Sequence, residues 1–138
     1  MIHYKSDGIL DATIDKVWKY LLSDDHKHKV FTKGRVLSES EDQFTLEVDV
    51  VGLDGKTTER WTATHRLNPP DGFETYISGG MFDGARVKHK YTPMGSQTKV
   101  ELEGDFPQRT DESTQWKAID DFYTTMFNED NANIKRMK

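Results

Sequence analysis

The chain has 138 residues, a formal net charge of −5 at pH 7 and no cysteine. This length predicts one domain, spanning residues 1–138, with a sizeable core. The composition excludes disulfides and thiolate ligands, and the acidic balance argues against nucleic acid as a partner. Because the sequence shows neither a secretion signal nor a run of roughly 18 apolar residues, we expect a cytoplasmic protein without a membrane anchor.

The first predicted elements are a strand and a short helix. Residues 2–10 predict the strand, and Thr13 is placed to cap the helix, with Asp15 in its first turn. The apolar face of this helix comprises Ile14, Val17, Trp18 and Leu21. The polar residues 23–29 should end the helix and leave room for a second short one.

Residues 34–106 predict about six strands joined by turns. Asp54 and Gly55 indicate a hairpin, and further turns are expected at 68–72, at 79–80 and at 93–96. Alternation assigns an inner face to several side chains of the first two long strands, namely Phe44, Leu46, Val48, Val50, Trp61, Ala63, His65 and Leu67. The same rule places Met81, Asp83, Ala85, Val87, His89 and Tyr91 on one side of a later strand.

A long helix is predicted from Thr110 to about Ile134. Its apolar stripe comprises Trp116, Ile119, Tyr123, Met126 and Phe127. This order of elements predicts an antiparallel α+β fold. Since a twisted sheet curves away from a helix on its concave face, we expect a gap between the two.

Two segments carry a resemblance to a known superfamily. Residues 10–18 (LDATIDKVW) and 91–100 (YTPMGSQTKV) resemble the first helix and a late hairpin of Bet v 1-like, START-related (SRPBCC) proteins. The resemblance implies a helix-grip fold, in which about seven strands wrap a long C-terminal helix and one or two short helices follow the first strand. It also implies a cavity for lipids, polyketides or isoprenoid-like molecules and makes a homodimer plausible. It supplies no catalytic set.

Polar side chains on the predicted inner face are candidates for ligand contacts, because burying such groups without a partner is costly. They are His65, Asp83, His89 and Tyr91. Our hypothesis is a protein that binds a small hydrophobic or amphipathic molecule and needs no cofactor. The predicted lining comprises Trp61, His65, Met81, Asp83, Val87, His89, Trp116, Tyr123 and Phe127.

Two alternatives stay open at the level of sequence. In a polyketide cyclase or dehydrase, His65 or His89 would act as an acid or base beside another titratable group, with Asp83 and Tyr91 as further candidates. In a protein-interaction module like the co-chaperone members of the superfamily, side chains would fill the cavity and an apolar patch would be exposed.

Residues 24–35 combine acidic, basic and histidine side chains. Asp24, Asp25, His26 and His28 match no zinc-binding pattern, so we interpret them as exposed residues at a helix end and predict no metal site. The basic stretch of Lys27, His28, Lys29, Lys33 and Arg35 is interpreted as a solvated surface, because only Phe31 could stack on a base.

Overall fold

The computed structural model describes residues 1–51 and 56–137. The strands are β1 (Ile2–Leu10), β2 (Phe31–Glu39), β3 (Gln43–Val51), β4 (Thr58–Asn68), β5 (Gly72–Ser78), β6 (Arg86–Met94) and β7 (Gln97–Phe106). The helices are α1 (Ile14–Leu21) and α2 (Glu112–Arg136), with a 3-10 turn at Gly80–Phe82. The expected hairpin turn at Asp54 and Gly55 lies outside the described residues.

The strands form one antiparallel sheet in the order β1-β7-β6-β5-β4-β3-β2. Strands β2 to β7 pair with their neighbours in sequence, and β1 returns to pair with β7, so that Ile2 faces Phe106 and Leu10 faces Thr98. With one short helix after β1 and one long C-terminal helix, this arrangement confirms the predicted helix-grip fold. Strands β1 and β2 are the two edges of the sheet.

Helix α1 begins as the sequence predicts. The Thr13 side chain accepts a hydrogen bond from the backbone N–H of Lys16 at 3.4 Å, and Val17, Trp18 and Tyr20 are buried. Residues 22–30 follow as turns and irregular chain instead of a second helix. This segment is important below because it carries two histidines.

Helix α2 lies across the concave face of the sheet. Asp111 caps it by accepting a hydrogen bond from the backbone N–H of Thr114 at 3.0 Å. The helix approaches β1 closely at Gly8, where an added Cβ would lie 2.7 Å from the Phe127 ring. Glycine at this position therefore lets Phe127 pack directly on the strand.

A packed aromatic cluster fills one end of the space between sheet and helix. The Phe82 ring is its centre, with ring centroids at 5.2 Å (Trp61), 5.1 Å (Phe106), 5.3 Å (Phe122) and 6.4 Å (Tyr123). This end of the molecule is a conventional core. The other end, toward α1, is hollow.

The loop that leads into α2 is held by one buried amide side chain. Gln115 is 6% exposed; its Oε1 accepts a hydrogen bond from the backbone N–H of Arg109 at 2.8 Å, and its Nε2 donates to the Pro107 carbonyl at 2.9 Å. These bonds satisfy backbone groups that the loop leaves unpaired.

We expect Gln115→Leu to lower the free energy of unfolding by roughly 2 kcal/mol, because the substitution keeps the volume but leaves those backbone groups unsatisfied. Urea denaturation measures the change. The matched control is Gln108→Leu, at an exposed position in the same loop, which should change stability by less than about 0.5 kcal/mol. Equal effects of the two substitutions would contradict this role for Gln115.

Candidate functional site

A cavity of about 460 Å³ lies between the sheet and α2. Its walls are mainly apolar side chains of β3, β4, β5, β7 and α2, among them Leu46, Trp61, Ala63, Phe73, Phe122 and Met126. Lining residues that are exposed to solvent, including Leu22, Lys27, Thr32 and Lys33, come from the segment after α1 and from β2. The cavity therefore opens between these two parts of the chain.

Five of the nine residues predicted to line the cavity do line it. Trp61, His65, His89, Tyr123 and Phe127 line it, as does Tyr91. This follows from the strand alternation and the helical stripe, which extend over the hollow end of the fold. Whether these residues bind a ligand remains a prediction.

Four predicted lining residues lie elsewhere, and the expectation is corrected for each. Met81 and Asp83 belong to the 3-10 turn and the residue after it, so strand alternation does not apply; Met81 is 45% exposed, and Asp83 pairs with Arg109 at 3.5 Å. Val87 faces inward but lies within the packed aromatic core. Trp116 packs on Tyr4, with ring centroids 5.5 Å apart, and is 40% exposed.

The two histidines on the sheet are embedded among aromatic rings. Nδ1 of His65 lies 2.8 Å from Oγ1 of Thr75. His89 stacks on Phe73 with ring centroids 4.3 Å apart, and its buried Nδ1 has no hydrogen-bond partner among the described residues. Burial lowers the pKa of His65 to about 4 and that of His89 to about 3. Both imidazoles are therefore neutral at pH 7.

The cyclase or dehydrase alternative requires a titratable group beside His65 or His89, and the observed geometry does not supply one among the described residues. In the described part of the chain, neither His65 nor His89 has a hydrogen bond to another titratable group, and bases of such low pKa are weak at neutral pH. Burial also raises the pKa of Tyr91, the other candidate. The hollow interior likewise differs from the filled cavity expected of a protein-interaction module.

A polar cluster at the α1 end of the cavity was not predicted. It consists of Tyr20 on α1, His26 and His28 in the following segment, and Glu129 and Asp130 on α2. The Tyr20 hydroxyl donates to Oδ1 of Asp130 at 2.6 Å, and Nδ1 of His28 lies 3.2 Å from Oε1 of Glu129. The prediction that these residues are exposed was wrong for His28, which is 6% exposed, and for His26, which is half-buried, whereas Asp24 and Asp25 are exposed.

The carboxylates and imidazoles of this cluster stabilise each other's charged forms. Burial lowers the pKa of His28, but hydrogen bonds and charge from Asp130 and Glu129 outweigh it, so that the net shift is upward. Burial raises the pKa of Asp130, but His28, His26 and Tyr20 outweigh it and hold the pKa below its usual value. A clue was present in the sequence, since Asp130 follows Met126 by four residues and Tyr123 by seven, on the same helical face.

Comparison with known proteins supports the fold. No family model matches the chain, and no curated protein matches it. Solved structures do match. A protein from Thermus thermophilus is 12% identical with a TM-score of 0.80, covering 96% of each chain. The START superfamily protein from Mycobacterium smegmatis is 11% identical with a TM-score of 0.78, covering 100% of each chain.

A third similar structure is the Zhui aromatase/cyclase from Streptomyces. It is 14% identical with a TM-score of 0.71, and the alignment covers 96% of this chain and 90% of that one. Likeness at this level of identity shows the fold alone. The chain thus has the same helix-grip fold as these structures, and this is the fold that the sequence resemblance implied. In the described residues, neither helix has the length and apolar character needed to cross a bilayer.

Proposed function

We propose that this chain, a protein of helix-grip fold, binds a small hydrophobic or amphipathic molecule in the cavity between its sheet and α2. The observation that carries the proposal is the cavity itself, whose volume of about 460 Å³ falls within the roughly 300–1,000 Å³ typical of small-molecule sites. Apolar walls favour an apolar ligand body, because its transfer from water is favourable.

The distribution of polar groups suggests how such a ligand would lie. Aromatic and aliphatic side chains such as Trp61, Phe122 and Met126 would contact its apolar part. Tyr20, His28 and Asp130 form a polar end, where an oxygen-containing group of the ligand would be placed. A few polar groups in an otherwise apolar cavity orient a ligand more than they add to its affinity.

The comparisons agree with this proposal at the level of fold. The similar structures include a START superfamily protein and an aromatase/cyclase. Because His65 and His89 lack titratable partners among the described residues, we propose binding and not acid–base turnover at these histidines. Location in the cytoplasm and the formation of a homodimer remain predictions.

Filling the cavity should abolish binding. Ala63 lies on β4 and its side chain lines the cavity, so Ala63→Phe would place a ring in the space that the ligand needs. We expect at least a tenfold loss of affinity for the fluorescent amphipathic probe anilinonaphthalene sulfonate, measured by titration. Native mass spectrometry of freshly purified protein should also show a copurified small molecule in the wild type and not in Ala63→Phe.

The matched control is Thr62→Phe, which adds a ring of the same size one residue earlier. Successive side chains of a strand point to opposite faces, so this ring lies outside the cavity and probe affinity should stay within about twofold of wild type. Circular dichroism and the unfolding midpoint check that both variants fold. Unchanged probe binding by folded Ala63→Phe would overturn the cavity as the binding site.

A further inference from the structure

Three side chains at the polar end of the cavity direct one atom each toward a common point. Nε2 of His26 lies 3.4 Å from Nε2 of His28 and 3.6 Å from Oδ1 of Asp130, and Nε2 of His28 lies 3.1 Å from the same Oδ1. Two ligands on one cation, each bonded at about 2.1 Å and at right to tetrahedral angles, are roughly 3.0–3.4 Å apart. The observed separations are close to this spacing.

The other ring nitrogens determine which atoms are free to bind. Nδ1 of His26 lies 3.3 Å from the carbonyl oxygen of Leu21, and Nδ1 of His28 lies 3.2 Å from a carboxylate oxygen of Glu129. Both oxygens can only accept, so each Nδ1 carries a hydrogen, and the neutral His26 ring has its lone pair on Nε2. Nε2 of a protonated His28 donates to Oδ1 of Asp130, so a metal ion would bind this nitrogen in exchange for its proton. Histidine ligands of metal ions commonly donate their second N–H to a carbonyl or carboxylate in this way.

The histidine segment is held in place by helix α2 and does not depend on the cluster alone. The Asn133 side chain donates to the carbonyl oxygen of Lys27 at 3.0 Å, and Oε2 of Glu129 accepts from the backbone N–H of Lys29 at 3.2 Å. Tyr20 orients Asp130 through its hydroxyl. The three converging atoms are thus positioned by contacts with their surroundings, as in a preorganised site.

We propose that His26, His28 and Asp130 bind one divalent first-row transition metal ion through Nε2, Nε2 and Oδ1. Two imidazoles and one carboxylate suit ions such as Zn²⁺, Fe²⁺ or Co²⁺, whereas Mg²⁺ and Ca²⁺ prefer oxygen ligands. Asp130 and Glu129 supply negative charge beside the ion. All three ligand residues line the cavity, so a bound ion would lie at its polar end. The site does not depend on whether the cavity binds an organic ligand.

Metal titration of the full-length, untagged protein tests this proposal. The protein is first treated with a chelator and dialysed, and then titrated with Zn²⁺ by calorimetry and with Co²⁺ by visible absorption. We expect one equivalent of each ion to bind, d–d absorption bands from the Co²⁺ complex, and a higher unfolding midpoint with Zn²⁺. Mg²⁺ at the same concentration should produce no binding heat.

Two conservative variants identify the ligands. His26→Gln and Asp130→Asn should each weaken Zn²⁺ binding at least about 100-fold, because loss of a direct ligand costs more than loss of an outer contact. Asp130→Asn retains an oxygen that can accept the Tyr20 hydrogen bond, which favours folding. The matched controls are His3→Gln and Asp24→Asn, at exposed positions, and both should bind Zn²⁺ like the wild type.

The proposal would be overturned if the folded, chelator-treated wild-type protein bound neither ion. The cluster would then be a set of hydrogen-bonded side chains and not a metal site. It would also be overturned if His26→Gln and Asp130→Asn both bound Zn²⁺ with unchanged affinity, because the ion would then lie elsewhere. These outcomes are independent of the titration with anilinonaphthalene sulfonate, so the metal-site proposal and the ligand-cavity proposal can fail separately.

Discussion

Replacing Phe82 with alanine should lower the free energy of unfolding by about 3–5 kcal/mol, the range observed for removal of a large ring from a packed core. Phe82 is 1% exposed and contacts four aromatic rings, which connect the sheet to α2. The substitution removes these contacts and leaves a space that the surrounding rings cannot fill. Urea denaturation followed by tryptophan fluorescence measures the loss, provided that the transition is two-state.

The neighbouring Met81→Ala is the matched control for this prediction. Met81 is 45% exposed, and the hydrogen bond from its backbone N–H to Glu59 at 2.9 Å does not involve its side chain. We expect a loss of less than about 1 kcal/mol. A small effect of Phe82→Ala, similar to that of Met81→Ala, would mean that the aromatic cluster contributes little to the free energy of unfolding.

Acid should destabilise the protein through His65 and His89 well before most carboxylates are protonated. Below the ordinary histidine pKa of about 6.5 the unfolded chain takes up protons that the folded chain excludes. The folded pKa values are about 4 for His65 and about 3 for His89. Stability is therefore fully present above pH 6.5 and is lost progressively as the pH falls toward 3, by several kcal/mol in total.

The variant His89→Phe isolates one of these contributions. It keeps a ring for stacking on Phe73 but cannot take up a proton, so the free energy of unfolding should fall less between pH 7 and pH 4.5 than in the wild type. Removing the unpartnered Nδ1 should also raise stability at pH 7 by about 1 kcal/mol. Urea titrations at each pH, with chelator present to exclude metal effects, provide the measurement.

The exposed His3 provides the control for acid sensitivity. His3→Gln should give nearly the same decrease in stability as the wild type, because the contact of His3 with Asp105 lies on the exposed surface, where such pairs contribute little to stability. If His89→Phe showed the full wild-type decrease between pH 7 and pH 4.5, burial of His89 would not be a cause of acid sensitivity.

The strands and helices could be predicted from the local spacing of apolar residues, because this spacing shows which side of each element is buried. Alternation in β3 and β4 identified inward side chains such as Trp61 and His65, and periodicity in α2 identified Tyr123 and Phe127. The same rule was wrong for Met81 and Asp83, where Gly79 and Gly80 have positive φ angles and the chain leaves the strand for a 3-10 turn. Alternation holds only while the backbone stays extended.

Local sequence patterns were sufficient to predict the element order and an apolar space faced by His65, His89 and Tyr91, and the family resemblance added the helix-grip fold. Where that space is filled and where it is hollow could not be predicted, since this depends on how far α2 lies from each strand in the folded protein. The partners of His26 and His28 could not be predicted either. Their carboxylates, Glu129 and Asp130, are about one hundred residues away in the chain, and only packing of α2 against the segment after α1 brings them together.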